Sequence, residues 1–407
     1  MRCGLLGNHL SHSYSPLIHS YLGDYSYSLF DKDPEELDSF LKSGDFAGLN
    51  VTAPYKKSVI PYCSHLSNAA KKLGAVNTIV RNEDGSLVGH NTDYFGFSFM
   101  LRRSGLTVAG KKVLVLGNGG AAAAVCGVLD DAGANTITIS RSGENNYRNL
   151  HLHADANIIV NATPVGMYPN VGENTISLDQ FPQLEGVLDI IYNPARTKLL
   201  MDAEELGIKT LNGLWMLVAQ AKEASEWFTS QKLADDIIEC IHAALSRQLQ
   251  NIVLIGMPGC GKSTLGQLLA RMTGKRFVDS DTHIVKKAEK PIEDIFRDNG
   301  EEHFRLLESE VLKEFGKESG LVISTGGGCV TQARNYPLLH QNGKIIWLQR
   351  DLALLPSDGR PLSQSNSMEE MYKSREPLYR SFADLIVENN TSPEETAAHI
   401  AALEEIL

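Results

Sequence analysis

What this sequence lacks narrows its class before any motif is read. No apolar run approaches the ~20 residues that a membrane-spanning helix needs, so no membrane association is expected. The opening stretch from Met1 to Gly7 has no apolar signal-peptide core. The six cysteines, at positions 3, 63, 126, 240, 260 and 329, include no C-x-x-C pair. A chain of 407 residues needs no disulfide staples, so reduced thiols in a cytoplasmic protein are expected. A basic excess is absent too. The 38 Lys and Arg stand against 49 Asp and Glu, a formal charge of −11 that excludes general nucleic-acid or anionic-membrane binding. Small anionic substrates stay open, because a few basic side chains can line a pocket. There is no internal repeat, no low-complexity tract and no Gly/Ser- or Pro-rich linker. His9, His12 and His19 cluster without metal-site spacing or carboxylate support, which reads as structural or surface histidine.

What is present is ordinary globular material: 43% hydrophobic and 21% charged residues, enough for two or three domains. Short apolar strands alternate with helical stretches, the pattern of α/β architecture with mostly parallel sheets. Two strand–glycine loop–helix units stand out. One runs from Lys112 through Gly117 into Gly119-Gly120-Ala121-Ala122, the other from Asn251 through Gly256 into Gly261-Lys262-Ser263. They lie too far apart for one mononucleotide-binding unit, so each is expected to start its own nucleotide-binding sheet. Between them, Gln231–Leu249 reads as one amphipathic helix with Leu233, Ile237, Ile241 and Leu245 on one stripe. That leaves a hinge no longer than Ser246–Gln250.

The segment from Gly256 to Ser263, Gly-Met-Pro-Gly-Cys-Gly-Lys-Ser, fits the phosphate-binding P-loop at every fixed position. Its backbone N–H groups and the following helix N-terminus cradle phosphates, Lys262 reaches the β/γ-phosphates and the Ser263 hydroxyl holds Mg²⁺. Further on come Asp279-Ser280-Asp281 at a strand end, Phe304-Arg305 with Glu308, the triple glycine 326–328, Arg360-Pro361-Leu362 and Arg375-Glu-Pro-Leu-Tyr379. Taken singly, these are also strand-end caps, a surface ion pair and a turn.

In the earlier unit, Gly117-Asn-Gly119-Gly120-Ala-Ala122 fits the dinucleotide fingerprint. The second strand ends in Ser140-Arg141-Ser142, where an acidic residue would bind an NAD ribose; arginine instead suits the 2′-phosphate of NADP. Before it lie hydroxyl-rich segments: Ser13-Tyr-Ser15-Pro16, Asn50-Val-Thr52-Ala-Pro54-Tyr-Lys56, Gly74-Ala-Val-Asn77-Thr78 and Asn91-Thr92-Asp93.

Together these segments carry two resemblances. Residues 1–247 resemble shikimate dehydrogenase, with Asn161-Ala-Thr-Pro, Tyr192-Asn-Pro and Leu214-Trp-Met-Leu-Val-Ala-Gln220 completing the order. Residues 250–407 resemble shikimate kinase. The resemblance implies a two-lobed dehydrogenase at 1–247, with an α/β substrate lobe (1–93 and 213–247) and a Rossmann NADP lobe (94–212). A P-loop α/β/α domain like the nucleoside-monophosphate kinases would follow at 248–407. It implies that Ser13 and Ser15 bind the substrate carboxylate, that Thr52, Asn77, Asp93, Tyr192 and Gln220 surround the ring, and that Lys56 and Asp93 form the catalytic pair. Gly117, Gly119, Gly120, Ala121, Ser140, Arg141 and Gly213 would bind NADP(H).

In the second domain Gly259, Cys260, Gly261, Lys262, Ser263, Thr264 and Arg360 would bind ATP, with Ser263 and Asp279 in the Mg²⁺ shell. Asp281 would activate the hydroxyl, and Arg305, Gly327 and Arg375 would hold shikimate. The implied reactions are consecutive: reduction of 3-dehydroshikimate to shikimate, then its phosphorylation to shikimate 3-phosphate. The expected partners are small molecules, and the expected assembly is a monomer or homodimer.

Two departures from the family patterns stand out. The segment between Leu355 and Arg360 is short and lacks an additional arginine. Only 19 residues separate Arg141 from Asn161, so one βα unit of the NADP lobe is expected to be missing. An NAD-dependent quinate/shikimate dehydrogenase is disfavoured by Arg141. A regulatory protein with dead sites is disfavoured by Lys56, Asp93, Lys262 and Asp281.

Overall fold

The computed structural model describes residues 1–10, 13–355 and 368–406. The chain divides into two compact units, Met1–Tyr192 with Leu199–Ala243, and Asn193–Lys198 with Ala244–Leu407. Among the described residues no helix is long and apolar enough to cross a membrane. All six cysteines are free.

The first unit is built on two sheets. One has six strands in the order Ser26–Asp31, Arg2–Gly7, Gly48–Val51, Thr78–Arg81, Leu87–His90, His65–Leu66. Its first three strands pair in parallel, but Thr78–Arg81 runs antiparallel to both of its neighbours. The expectation of mostly parallel sheets holds, with this strand as the exception. The short connection Asn82–Ser86 accounts for its antiparallel pairing with Leu87–His90, because a hairpin needs only a tight turn whereas a parallel crossover needs a dozen residues or more.

The other sheet has five parallel strands, ordered Lys209–Leu211, Gly186–Asp189, Ile158–Asn161, Lys112–Leu116, Asn135–Ile139. Residues 140–157 hold a single 3₁₀ turn, Leu150–His153, where a doubly wound sheet would place a further helix and strand. Asn135–Ile139 is left as the edge.

Helices Asp93–Ser104 and Leu214–Thr229 pack closely, and Gly96 permits it: a Cβ there would lie 2.7 Å from the Met216 carbonyl oxygen and 2.9 Å from Gln220 Cβ. The helix expected from Gln231 begins at Asp236 and runs to Leu249. Residues before it are occupied in finishing the preceding helix. Ser230 takes a left-handed φ of +55°, and the Leu233 amide donates to Glu226 Oε1 at 2.8 Å. Gln250 alone separates the helix from the next strand.

The second unit carries a five-stranded parallel sheet in the order Arg276–Asp279, Leu321–Ser324, Asn251–Ile255, Gly343–Gln349, Leu385–Glu388. Its central strand, Asn-Ile-Val-Leu-Ile, is buried along its whole length, as a parallel strand covered on both faces must be. Trp347 and Tyr379, 1% and 0% exposed, stack in the core with ring centres 5.7 Å apart.

Candidate active sites

In the first unit hydrogen bonds and ring contacts join the expected site residues in small groups. Tyr55 fixes the loop after strand Gly48–Val51: its ring is buried, and its hydroxyl donates to the Lys32 carbonyl at 2.6 Å. The next residue, Lys56, has its carbonyl held by the Val76 amide at 2.8 Å and sends Nζ to Asp93 Oδ2 at 2.6 Å. The two side chains are 21% and 9% exposed. Asp93 opens helix Asp93–Ser104.

The amide of Thr92 donates to Asn77 Oδ1 at 2.7 Å, and the Thr92 hydroxyl reaches Gln220 Oε1 at 3.3 Å. Asn77, Thr92 and Gln220 thus join one polar network. Asn50 extends it, donating from Nδ2 to Thr78 Oγ1 at 3.2 Å while accepting the Tyr27 hydroxyl at 2.8 Å. Thr52 follows that strand, its amide bonded to the Leu6 carbonyl at 2.9 Å. On the other side, Ser13 Oγ accepts the Ser15 amide at 3.2 Å, and Tyr14 between them lies 5.5 Å, ring to ring, from Tyr192. Burial pushes the Tyr192 phenol up to about 12, so it stays a neutral donor.

Among the histidines, His19 is buried, stacked on Tyr27 at 4.0 Å and pushed down to about 3 by that burial. His9 is exposed, and His12 lies outside the described residues.

The glycine loop after strand Lys112–Leu116 faces the same region. Gly117 adopts a φ of +107°, and a Cβ on it would strike the Ala162 carbonyl oxygen at 2.9 Å. Its amide donates to the Ile139 carbonyl at 2.8 Å, which brings the loop beside Ser140 and the exposed Arg141 at the end of the neighbouring strand. Gly119 caps helix Gly120–Asp131, and nothing lies within 4 Å of a Cβ built there; Ala121 sits in the helix's first turn. A Cβ on Gly120 would come 3.5 Å from Lys56 Cδ, so the lysine lies directly against the loop. Gly213 serves the backbone: a Cβ on it would lie 1.9 Å from the Ile190 carbonyl oxygen. Asn161, named from the sequence as the start of a motif, and Asp189, not named there, are both buried and pair at 3.0 Å, pinning two strand ends beside this loop.

In the second unit one cavity of about 870 Å³ gathers Gly259, Gly261, Lys262, Ser263, Thr264, Asp279, Asp281, Arg305, Gly327 and Arg375. Cys260 is buried behind it, its carbonyl bonded by Asn389 Nδ2 at 2.6 Å. Arg360 lies outside the described residues. Lys262 Nζ folds back on its own loop, donating to the carbonyls of Gly256 and Met257 at 2.9 and 3.0 Å. Ser263 Oγ donates to Asp279 Oδ2 at 2.7 Å, and the other Asp279 oxygen caps the next helix through the Thr282 amide at 3.0 Å.

Gly300, at φ +81°, breaks helix Ile292–Lys317, and the helix then resumes toward the cavity. Arg305 is buried, held by Glu301 at 3.0 Å and by Glu308 at 2.9 Å. Glu308 is 0% exposed, so the pair is an interior one and no surface salt bridge. Its Oε1 has no hydrogen-bond partner. A Cβ on Gly326 would meet Glu308 Oε1 at 2.7 Å and Asp281 Oδ1 at 2.8 Å, so both carboxylates press on the triple glycine. Burial, reinforced by Asp279, raises the Asp281 pKa against the pull of Lys262 and Arg305. Arg375 donates to the Gly327 carbonyl at 3.2 Å, which also accepts the Tyr379 hydroxyl.

The chain is similar to known proteins over both units. Residues 5–79 match the family model of the shikimate dehydrogenase substrate binding domain, and residues 258–404 match that of shikimate kinase. The NADP(+) shikimate dehydrogenase of Clostridium beijerinckii is 35% identical over 267 residues, which are 61% of this chain and 98% of that protein. The crystal structure of shikimate dehydrogenase 1 from Peptoclostridium difficile is 36% identical, with a TM-score of 0.57, covering 60% of this chain and 97% of that one. Shikimate 5-dehydrogenase from Thermus thermophilus, solved with NADP(H) and shikimate, is 30% identical with a TM-score of 0.55, covering 60% and 99%. The chain belongs to the shikimate dehydrogenase family and continues into a shikimate kinase domain, which makes it a bifunctional enzyme of the shikimate pathway.

Proposed function

We propose that the first unit reduces 3-dehydroshikimate to shikimate with NADPH and that the second phosphorylates the shikimate 3-hydroxyl with ATP. The observation that carries the reading is Lys56, paired with Asp93 at 2.6 Å and lying against Gly120 of the dinucleotide loop. Proton donor and cofactor loop thus meet at one point. The open ground before Gly119, at a helix N-terminus, fits a pyrophosphate.

NADPH supplies the hydride. Lys56 delivers the proton to the oxygen that becomes the new hydroxyl, and Asp93 orients the ammonium toward it. Ser13 and Ser15 take the substrate carboxylate, while Thr52, Asn77, Tyr192 and Gln220 hold the ring, with Asn77 and Gln220 already fixed by the network around Thr92.

In the kinase, Asp281 accepts the hydroxyl proton, and its raised pKa brings that basicity closer to neutrality. Arg305 and Arg375 grip the carboxylate, for which a planar guanidinium is suited. The hard oxygens of Ser263 and Asp279, 2.7 Å apart, fit Mg²⁺, which neutralises phosphate charge when bound. Lys262 turns from its loop carbonyls toward the phosphates. The free thiols support a cytoplasmic setting, and the expected assembly is a monomer or homodimer. The test is to add 3-dehydroshikimate, NADPH and ATP to purified protein and follow NADPH oxidation and ADP release. Both are expected; failure of either removes that half of the reading.

Cofactor choice gives a separate prediction. Arg141 offers a cation at the strand end where a 2′-phosphate lies, and a charge-assisted contact of about 1.5–3 kcal/mol implies roughly a tenfold to hundredfold preference for NADPH over NADH. Arg141→Ala is expected to erase most of it through the NADPH KM. Equal use of both cofactors by the wild type would count against this role.

A further inference from the structure

Arg350 follows directly on strand Gly343–Gln349, at the carboxyl edge of the kinase sheet, where open α/β sheets bind their ligands. Its guanidinium stands beside the P-loop. A Cβ built on Gly261 would meet Arg350 Nη1 at 3.6 Å and Asn389 Nδ2 at 2.9 Å. Asn389 is committed to the protein, donating from Nδ2 to the Cys260 carbonyl at 2.6 Å and from its amide to the Gln349 carbonyl at 2.7 Å. The Asp351 amide is held by Asn390 Oδ1 at 3.0 Å, so the backbone on both sides of Arg350 is fixed.

The guanidinium itself has no hydrogen-bond or ion-pair partner among the described residues, and its Nε is buried without one. A buried N–H on a cation is expensive to leave unmade, and native structures seldom do so without a ligand or a functional reason. The site it adjoins is built for anions: the helix from Lys262 opens there, and its first amides face phosphate. Arg350 does not line the cavity that holds Asp281, Arg305 and Arg375. That cavity also holds Gly261, Lys262 and Ser263, so what ties Arg350 to the nucleotide side is its place beside Gly261.

We propose that Arg350 is a nucleotide-binding residue whose guanidinium takes a phosphate oxygen of ATP beside Gly261. The assignment rests on the kinase reading above. It supplies a cation from the sheet edge.

The test uses the full-length protein with Arg350→Ala, Arg350→Gln and Arg350→Lys. ADP affinity is measured by calorimetry, together with the KM values for ATP and shikimate. Loss of a charge-assisted phosphate contact predicts about tenfold weaker ADP binding and a similar rise in the ATP KM for the Ala and Gln variants. Partial recovery is expected in the Lys variant, with kcat and the shikimate KM within about twofold of wild type. Gln retains most of the side chain's bulk, so it serves if the Ala variant does not fold. Unchanged ADP affinity in the Gln variant would overturn the proposal. So would Lys behaving like Gln, or shikimate affinity falling in step with ADP affinity, which would mark a packing role. A wild-type protein that binds no ADP would instead overturn the kinase reading itself.

Discussion

Lys56→Ala is expected to lower the rate of 3-dehydroshikimate reduction by roughly 10²- to 10⁴-fold, the range lost with a positioned proton-transfer group. Phosphorylation of added shikimate should stay at its wild-type rate. The loss belongs mainly in kcat. Lys56 delivers a proton that matters as charge builds on the carbonyl oxygen, whereas the groups proposed to hold the ground state, Ser13, Ser15, Asn77 and Gln220, are untouched. The fold should survive. Lys56 is anchored through its backbone, by the Val76 amide on its carbonyl and by the buried Tyr55 beside it, and its side chain is partly exposed.

Removing the ammonium leaves Asp93 without its 2.6 Å partner. Lys56→Arg separates proton transfer from charge. It keeps the cation but not a group that readily gives up a proton, and should recover little. Steady-state kinetics on both reactions decides the matter. Reduction at a wild-type rate in Lys56→Ala would remove Lys56 from the chemistry. Loss of phosphorylation as well would mean that the two sites are not independent.

Much of this arrangement is legible in the amino-acid order because the chemistry-bearing segments are local. The P-loop is eight consecutive residues between a strand and a helix, and the same physics reads Gly117–Ala122. The missing βα unit is legible too, since 19 residues cannot hold a helix, a strand and their connections. What local order hides is anything decided by distant packing. Glu308 reads as half of a surface ion pair at i, i+3, and only the break at Gly300 and the triple glycine show that it is fully buried. Asn50 and Thr92 sit inside recognised motifs, yet their link through Thr78 depends on an antiparallel register that the motifs do not encode. Arg350 carries no motif at all; its interest arises from the strand end that places it against Gly261. The start of helix Asp236–Leu249 is hidden for a different reason. Periodicity extends back to Gln231, but the backbone there caps the preceding helix.

The two units, on the proposed reading, grip one molecule by different means. The dehydrogenase offers hydroxyls, Ser13 and Ser15, to the carboxylate. The kinase offers guanidiniums, Arg305 and Arg375. The difference follows from what else each site must hold. Asp281, Asp279 and Glu308 concentrate negative charge in the kinase cavity before a polyphosphate enters, and buried cations offset it. The dehydrogenase cleft already carries its own balance in Lys56 and Asp93, so neutral donors suffice.

Lys262→Ala is expected to do the reverse of Lys56→Ala. Phosphorylation should fall roughly a hundredfold to a thousandfold, the scale of losing one preorganised charge-stabilising group, and reduction should be unaffected. In the structure Lys262 Nζ is occupied by the carbonyls of Gly256 and Met257. These are the two residues that turn the chain out of strand Asn251–Ile255. The ammonium therefore has two uses, bonding the loop carbonyls and, on the proposed reading, meeting the phosphates. Alanine removes both, so ADP affinity should fall along with kcat. Shikimate affinity should not, because Asp281, Arg305 and Arg375 are held by Ser280, Glu308 and Gly327 and not by Lys262. Lys262→Arg discriminates between the two uses. It retains charge and donors for the loop carbonyls but, being longer and planar, misplaces the charge at the transferring group. It is expected to restore ADP binding more than turnover. Calorimetry with ADP and with shikimate, beside the two rate assays, reads every term. Phosphorylation at a wild-type rate in Lys262→Ala would overturn the assignment of this loop as the phosphate site.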